Sequence, residues 1–463
     1  MNNDPAALKG LLRHCAETND DTPRLVLADW LEDRGDFRAE FVRAGVAYER
    51  TPPYDFTRFQ LAERLRGLLE TPGFKEWLPA SPAFKWGWRR GLLTLIADTE
   101  QLQDEVTSGR VRNTRRISRW LASDWIERVE FDGYTRSMPI WEDTFGLVRN
   151  TRELYFATDD YGPSVRTRLR EWPHLRGLGL PYFGPPWADL AALPHLRALK
   201  LDNPDWTMMP ELPETKLPNL EVLDLDKEWE GDLPHWGSCF PKLRSLKLTQ
   251  WNAYPDEQCE RFAECCHLRH LGFHQRYKPL TRVGLKALAK LKDLRSLTLG
   301  PLPRGTIAGL AELSKLERLA IEGEAKLIRG LESLAQLRWL SLEVKSLTGE
   351  MAEQVAGLPQ LARLEIYLRN FEAGAIAALA KAPALRVLSV SVPQGNNPPT
   401  AELVRLELLR YLWLGNGKPT QPEVLSLQAA LPDCRIITPE QVRCAWDNGR
   451  LHADTGDDAY DWC

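Results

Sequence analysis

The chain contains no run of 18 or more apolar residues, so no segment reads as a membrane-spanning helix. Its start, MNNDPAALKGLLRHCAETNDD, lacks the basic region and continuous apolar stretch of a secretory signal. Positive charge is not in surplus: 60 Lys and Arg stand against 64 Asp and Glu, a formal net charge of −4. Surfaces built for phosphate backbones carry a basic balance, so nucleic acid is not an expected partner. Cysteine is scarce, eight in 463 residues, and Cys265 and Cys266 are adjacent. That pattern is no disulfide framework, and a reducing cytoplasm is the expected setting. No GxxxxGK[ST] or GxGxxG run offers a phosphate-cradling loop, and no GxSxG marks a nucleophile. What is present is ordinary for a globular chain, 43% hydrophobic and 27% charged, with enough length to bury a large core.

The organising feature is a repeat. The pattern L-x-x-L-x-L begins at Ile126, Thr151, Leu175, Leu196, Leu220, Leu243, Leu268, Leu294, Leu316, Leu337, Leu361, Leu385 and Leu409, with a degenerate last copy at Cys434. The copies recur about every 24 residues, and spacings of 20–29 belong to one known class. Over roughly 310 residues the chain thus resembles the leucine-rich repeat family. Numbering each copy from its first leucine, positions three to seven form a short strand with alternating faces. Positions four and six point inward and positions three, five and seven outward. Segments 284–294, 309–319 and 373–385 carry apolar residues at helical spacing and predict short convex helices. Stacking then gives an α/β fold: a leucine-rich repeat solenoid with a curved parallel sheet on the concave face and helices and loops on the convex face. The asparagine frequent in such repeats is mostly missing; Asn203 and Asn416 fit, while Lys227, Gln250, Gln275 and Val344 do not. Early copies are proline-rich and predict loops rather than helices on the convex side.

Residues 1–50 read as three helices: PAALKGLLRHCAE from near Asp4, TPRLVLADWLED with Thr22 as N-cap and Gly35 as its stop, and a third in DFRAEFVRAGVAYER. The run DDTPRLVLADWLEDRGDFRAEFVR resembles the repeat-companion domain of planctomycete-type bacterial proteins. The resemblance implies a small helical module, a bacterial intracellular protein and association with repeats; it implies no catalytic activity. Residues 51–125 join module to repeats and read as a tryptophan-rich linker and N-terminal cap, with a helix over 58–78 and a first strand at Gly91–Leu95. The solenoid covers 126–437. Residues 438–463 form a C-terminal cap and acidic tail, with a helix near 438–450. The last residues, carrying Asp454, Asp457, Asp458 and Asp461, are either a disordered end, a segment that folds back, or a recognition tag.

Candidate chemistry is thin. Cys259, Cys265, Cys266, His267, His270 and His274 cluster in sequence, but His270 and His274 lie about 13 Å apart along one strand, too far to share a metal. They read as buried thiols and surface histidines, and no metal or cofactor is expected. Glu127 and Glu130 read as surface carboxylates. Arginine recurs at the second repeat position (Arg176, Arg197, Arg244, Arg269, Arg295, Arg338, Arg386, Arg410), broken by Glu221 and Glu317, as a ladder whose stems cover leucines. The functional candidate is the concave face of the later repeats: Arg318, Trp339, Glu343, Arg363, Glu365, Tyr367, Tyr411 and Trp413, with Glu322 beside them. Large outward aromatics with mixed charges suit a protein or peptide partner, although Tyr411 and Trp413 equally suit packing under the tail. The reading is a non-enzymatic interaction scaffold. Its alternatives are a targeting subunit or substrate of a partner enzyme, and a metal-dependent or nucleic-acid-binding module. The sequence leaves the oligomeric state open.

Overall fold

The first helix, α1 (Pro5–Glu17), starts as the sequence predicts: Asp4 Oδ1 accepts the N–H groups of Ala6 and Ala7 at 3.0 and 3.2 Å. The second, α2 (Thr22–Glu32), differs. Thr22 lies inside the helix, and the N-cap is Asp21, which makes no side-chain cap bond. The Asp21 carboxylate accepts from Arg50 Nε at 2.8 Å and Arg90 Nη2 at 2.9 Å instead. The carboxylate is satisfied by two guanidiniums rather than by the helix N-terminus. Gly35 follows with φ of 63°, the left-handed stop expected of it. Leu27, Ala28 and Leu31 of α2 and Phe41 and Val42 of α3 (Arg38–Arg50) are buried in the module. The helix expected over 58–78 is two helices, α4 (Phe56–Leu69) and α5 (Pro72–Trp77), because Thr71 precedes a proline and is extended.

The tryptophan-rich approach is itself a strand. β1 (Phe84–Arg89) pairs antiparallel with β2 (Leu92–Asp98), and the expected strand start, Gly91, is their turn. Arg90 (φ 49°) and Gly91 (φ 79°) make that turn left-handed. A Cβ on Gly91 would meet Val42 O at 2.5 Å, and one on Gly45 would meet Gly91 Cα at 2.5 Å, so α3 and the hairpin touch backbone to backbone.

The described residues are 4–18, 20–79, 81–107, 120–132, 148, 151–156, 169–172, 174–181, 187–202, 216–229, 235–251, 255–275, 280–300, 307–325, 328–393, 396–415 and 418–438 of a computed structural model. Asn203, Asn416, the expected helix beyond Thr438, the acidic end and the side chains of Lys227, Gln250, His274, Gln275 and Glu322 lie outside them. The described residues up to Leu225, apart from Pro53–Phe56, form one compact unit; Pro53–Phe56 and those from Asp226 onward form a second.

The repeat strands are β3 (Ile126–Asp132), β4 (Glu153–Phe156), β5 (Gly177–Pro181), β6 (Ala198–Asp202), β7 (Val222–Trp229), β8 (Ser245–Trp251), β9 (His270–Gln275), β10 (Ser296–Leu299), β11 (Arg318–Ala325), β12 (Trp339–Leu347), β13 (Arg363–Phe371), β14 (Val387–Ser391), β15 (Tyr411–Gly415) and β16 (Arg435–Ile437). β2 to β6 of the first unit and β8 to β16 of the second run parallel in chain order. One backbone device sets the register: from Arg152 to Arg197 and from Arg244 to Arg386 the carbonyl of the second repeat residue accepts two N–H groups from the next copy. Glu317 O takes Arg338 N at 2.7 Å and Trp339 N at 2.9 Å, and Arg338 O takes Ala362 and Arg363 N, each at 2.9 Å. Positions one, four and six, such as Leu337, Leu340 and Leu342, fill the interior. Each buried leucine contributes about 2 kcal/mol.

Each copy enters its strand through a tight turn in which the first-position N–H bonds a carbonyl three residues earlier, as Leu294 N does to Leu291 O at 3.0 Å. That turn shortens the preceding helix. Helices occupy Arg282–Leu288 and Gly349–Ala356, but 309–319 holds only a 3-10 turn at Ala308–Leu310, and 373–385 only Ala375–Ala378 and Leu379–Lys381.

Glu127 is not a surface charge. It is buried and accepts from Arg24 Nη2 of α2 at 3.3 Å and Arg152 Nη1 at 2.9 Å, with Arg24 fully buried. The TPRL run of the module thus places a guanidinium on the first repeat's second position. Arg24→Ala should lower unfolding free energy by about 3 kcal/mol, because the buried carboxylate loses one of two partners. Arg43→Ala, whose exposed guanidinium meets Asp29 and Glu32, should leave the unfolding midpoint almost unchanged, because water screens exposed ion pairs. Urea denaturation of both variants measures the difference.

Candidate functional site

Strand register sorts the outward residues of the second unit into columns. The third-position column runs Ser245, His270, Ser296, Arg318, Trp339, Arg363, Val387, Tyr411, Arg435. The fifth continues through Ser341, Glu365, Ser389 and Trp413, and the seventh through Glu343, Tyr367, Ser391 and Gly415. The three are not equally open. Ser245, His270, Ser296, Trp339, Val387 and Tyr411 are all buried, whereas the named fifth- and seventh-position residues are half-buried.

Trp339 is 1% exposed. Its indole lies between two guanidiniums from the neighbouring strands, with Arg318 Cζ 3.6 Å and Arg363 Cζ 3.9 Å from the ring centroid. Such stacking is worth about 1–2 kcal/mol where desolvated. Arg363 is further held by Glu365, with Nε to Oε1 at 2.8 Å and Nη2 to Oε1 at 2.6 Å. Of the eight residues singled out in the sequence, four therefore form one closed cluster: Arg318, Trp339, Arg363 and Glu365. Tyr411, 7% exposed, sits farther along the same column.

Tyr367 and Trp413 are placed differently. They stand on β13 and β15, on either side of β14, which carries only Ser389 and Ser391 at its fifth and seventh positions. Two strand spacings across and two residues along the strand separate them, about 12 Å on the diagonal. Beside Ser391 is Gly415, where a Cβ would collide with the serine hydroxyl. Two half-buried aromatics thus flank a floor of small hydroxyls, with Glu343 next to Tyr367 in register. The small residues at 389, 391 and 415 were readable in the sequence; their pairing between the two rings needed the register.

In the first unit the outward face over β4 and β5 is covered by Tyr155. Tyr155 lies across β5, where a Cβ on Gly177 would meet its Oη at 2.9 Å and one on Gly179 would clash with the ring. Arg128 covers it at 4.1 Å, and Arg128 and Arg89 both reach Glu153, at 3.9 and 3.5 Å. Burial pushes the Tyr155 hydroxyl well above its ordinary range, and the Glu153 charge adds to this. Burial also raises Glu153, but Arg89 and Arg128 hold it below the usual carboxylate value. Glu130 pairs with Arg128 at 2.8 Å. The cap tryptophans pack on one another: Trp77 lies 5.4 Å from Trp120 and 5.2 Å from Trp125, and Trp86 lies 5.4 Å from Trp120.

The cysteine and histidine cluster separates: Cys259, Cys265 and His270 are buried, whereas His267 and, against expectation, Cys266 are exposed. Cys265 occupies the entry turn of its repeat, where its carbonyl accepts Leu268 N at 3.0 Å, and Cys259 is buried in the helix Pro255–Phe262. Among the described residues no three His, Cys, Asp or Glu side chains are grouped to hold a metal ion. His270, expected at the surface, is buried in the shaded third column. The arginine ladder carries its own counter-charges: Arg197 meets Glu221 at 3.3 Å, Arg295 meets Glu317 at 3.9 Å and Arg410 meets Asp433 at 4.0 Å. No helix among the described residues is long and apolar enough to cross a membrane.

Residues 167–405 match a family model described as a leucine-rich repeat region. An internalin of Listeria monocytogenes is similar at 18% identity over 65% of this chain and 79% of that one, with a TM-score of 0.34. Internalin C2 of the same organism is similar at 18% identity over 37% and 71%, with a TM-score of 0.26. No curated protein sequence matches the chain.

Burial, followed by the charges of Arg318, Arg269 and Arg295, pushes His270 down to about 3. The unfolded histidine titrates near 6.5, so below that pH the unfolded chain binds a proton that the folded chain refuses. Folding stability should therefore decline as pH falls from about 6.5 towards 3. His270→Gln should flatten that stretch of a urea-midpoint profile; an unchanged slope would place the histidine in water.

Proposed function

The chain belongs to the leucine-rich repeat family, and from that premise we propose that it is a non-enzymatic scaffold binding a protein or peptide partner on the concave, outward face of its C-terminal repeats. The contact centre is the slot between Tyr367 and Trp413. The observation that carries this reading is the serine floor between two half-buried aromatics. Tyrosine and tryptophan supply large contact area at low entropic cost and dominate interface energetics. Ser389 and Ser391 offer hydroxyls that both donate and accept. A partner side chain about one strand wide fits between the rings.

The surrounding residues take supporting parts. Glu343 and Glu365 give the slot an acidic side, and the Arg318–Trp339–Arg363 stack fixes the strands beside it without entering the contact. Tyr411, buried in the third-position column, likewise stays out of the contact. A repeat sheet is rigid in the free state, so little ordering is lost on binding. The N-terminal module, with its resemblance to the repeat-companion domain, fits a bacterial, cytoplasmic protein in which that module seats on the first repeats through Arg24.

Capture from lysate with the full chain as bait tests the reading. Tyr367→Ala/Trp413→Ala should weaken binding of the captured partner at least tenfold, about 1.4 kcal/mol or more. Leu425→Ala, an exposed change on the helix Gln421–Ala430, should leave it unchanged. Equal retention by both variants would remove the slot from the interface.

A further inference from the structure

The second unit includes a short segment from far earlier in the chain, Pro53–Phe56. Tyr54 is 6% exposed. Its hydroxyl donates to Glu317 Oε2 at 3.3 Å, and its ring lies 5.4 Å from the Arg338 guanidinium. Arg363 Nη1 donates to Pro53 O at 2.9 Å. Glu317 and Arg338 are second-position residues of adjacent copies, so the tyrosine sits at the strand-entry edge of the sheet. Arg363 is the same guanidinium that stacks on Trp339 and bonds Glu365, which joins the segment to the closed cluster. Burial and the Glu317 charge push the Tyr54 hydroxyl up, keeping it a donor.

These contacts are those of a peptide on a receptor rather than of a core. One aromatic ring is desolvated beside a guanidinium, one hydroxyl meets a carboxylate, and one main-chain carbonyl meets a fixed arginine. The hydroxyl bond is long and the ring lies near the outer reach of cation–π attraction, so these two contacts are individually weak, and the charge-assisted bond from Arg363 to the Pro53 carbonyl is the strongest of the three. The tether makes up the difference, since a linked segment faces its site at an effective concentration on the order of 1 mM.

Resting on the reading of this sheet as a recognition surface, we propose that Pro53–Tyr54 is the resident, exchangeable ligand of a peptide-binding edge formed by Glu317, Arg338 and Arg363. The partner this edge takes is a peptide that presents an unmodified tyrosine preceded by a main-chain carbonyl free to accept from Arg363. Glu317 selects for the free hydroxyl, so a phosphorylated tyrosine is excluded by charge. Arg363 reads the carbonyl before the tyrosine and needs no particular side chain there.

The test uses the full chain and a fluorescein-labelled peptide with the sequence of residues 50–57, read by fluorescence anisotropy. Wild type, its edge filled in cis, should bind the peptide weakly. Tyr54→Ala, shown to be folded by circular dichroism, should bind it at least tenfold more tightly. Adding Arg363→Ala or Glu317→Ala to that variant should remove the gain, and a phosphotyrosine version of the peptide should fail to bind. Tyr54→Phe, which keeps the ring and deletes only the hydroxyl, should give an intermediate gain and guards against misfolding of the alanine variant. Equal peptide binding by wild type and Tyr54→Ala, or binding indifferent to Arg363 and Glu317, would overturn the proposal. Capture of a partner through Tyr367 and Trp413 with no peptide binding at the edge would sink this inference alone; loss of both would sink the scaffold reading as well.

Discussion

The carbonyl of the second repeat residue, accepting two N–H groups from the next copy, is the constraint on which the rest of the structure depends. The same pair of bonds recurs from Arg152 to Arg197 in the first unit and from Arg244 to Arg386 in the second. It holds neighbouring copies in fixed register whatever side chain sits at that position, which is why arginine, glutamate and Ala362 all occupy it. Once register is fixed, every later position falls into a column. Leucines meet leucines inside, and outward residues meet chosen neighbours: Trp339 between two arginines, Tyr367 and Trp413 across a strand of serines.

A parallel sheet with one outward face must do something with the large residues on that face. Three solutions appear. In the first unit Tyr155 lies flat over two glycines and is locked by buried ion pairs. In the second unit Trp339 is stacked between guanidiniums and closed to water. Tyr367 and Trp413 instead stand half-buried beside small residues. The third-position column is the more shaded one: six of its nine residues in the second unit, Ser245, His270, Ser296, Trp339, Val387 and Tyr411, are buried. Open contact area therefore lies at positions five and seven.

Much of the fold was legible because the repeat signal comes from the core, and core leucines report spacing directly. The two-face alternation followed from it. The site was legible only in part. Pattern alone gives Trp339 and Trp413 the same outward status, yet one is sealed and the other half-open. What separates them is the neighbouring strand: Arg318 and Arg363 beside Trp339, Ser389 beside Trp413. Those neighbours are roughly one repeat away in sequence and become visible only when intervals are converted to register. Glu127 was misjudged for a similar reason, since its partner Arg24 lies more than a hundred residues away. Tyr54 carried no local signal at all. Its importance comes from Glu317, Arg338 and Arg363, which no short-range pattern links to it.

Hydroxyl-radical footprinting of the full chain, free and with its captured partner, tests the central claim most directly. In the free chain Tyr367 and Trp413 should oxidise faster than Trp339, and the partner should protect both while leaving exposed Leu425 and Val283 on the helix side unchanged. Rapid oxidation of Trp339 in the free chain, or partner protection confined to Leu425 and Val283, would contradict the account.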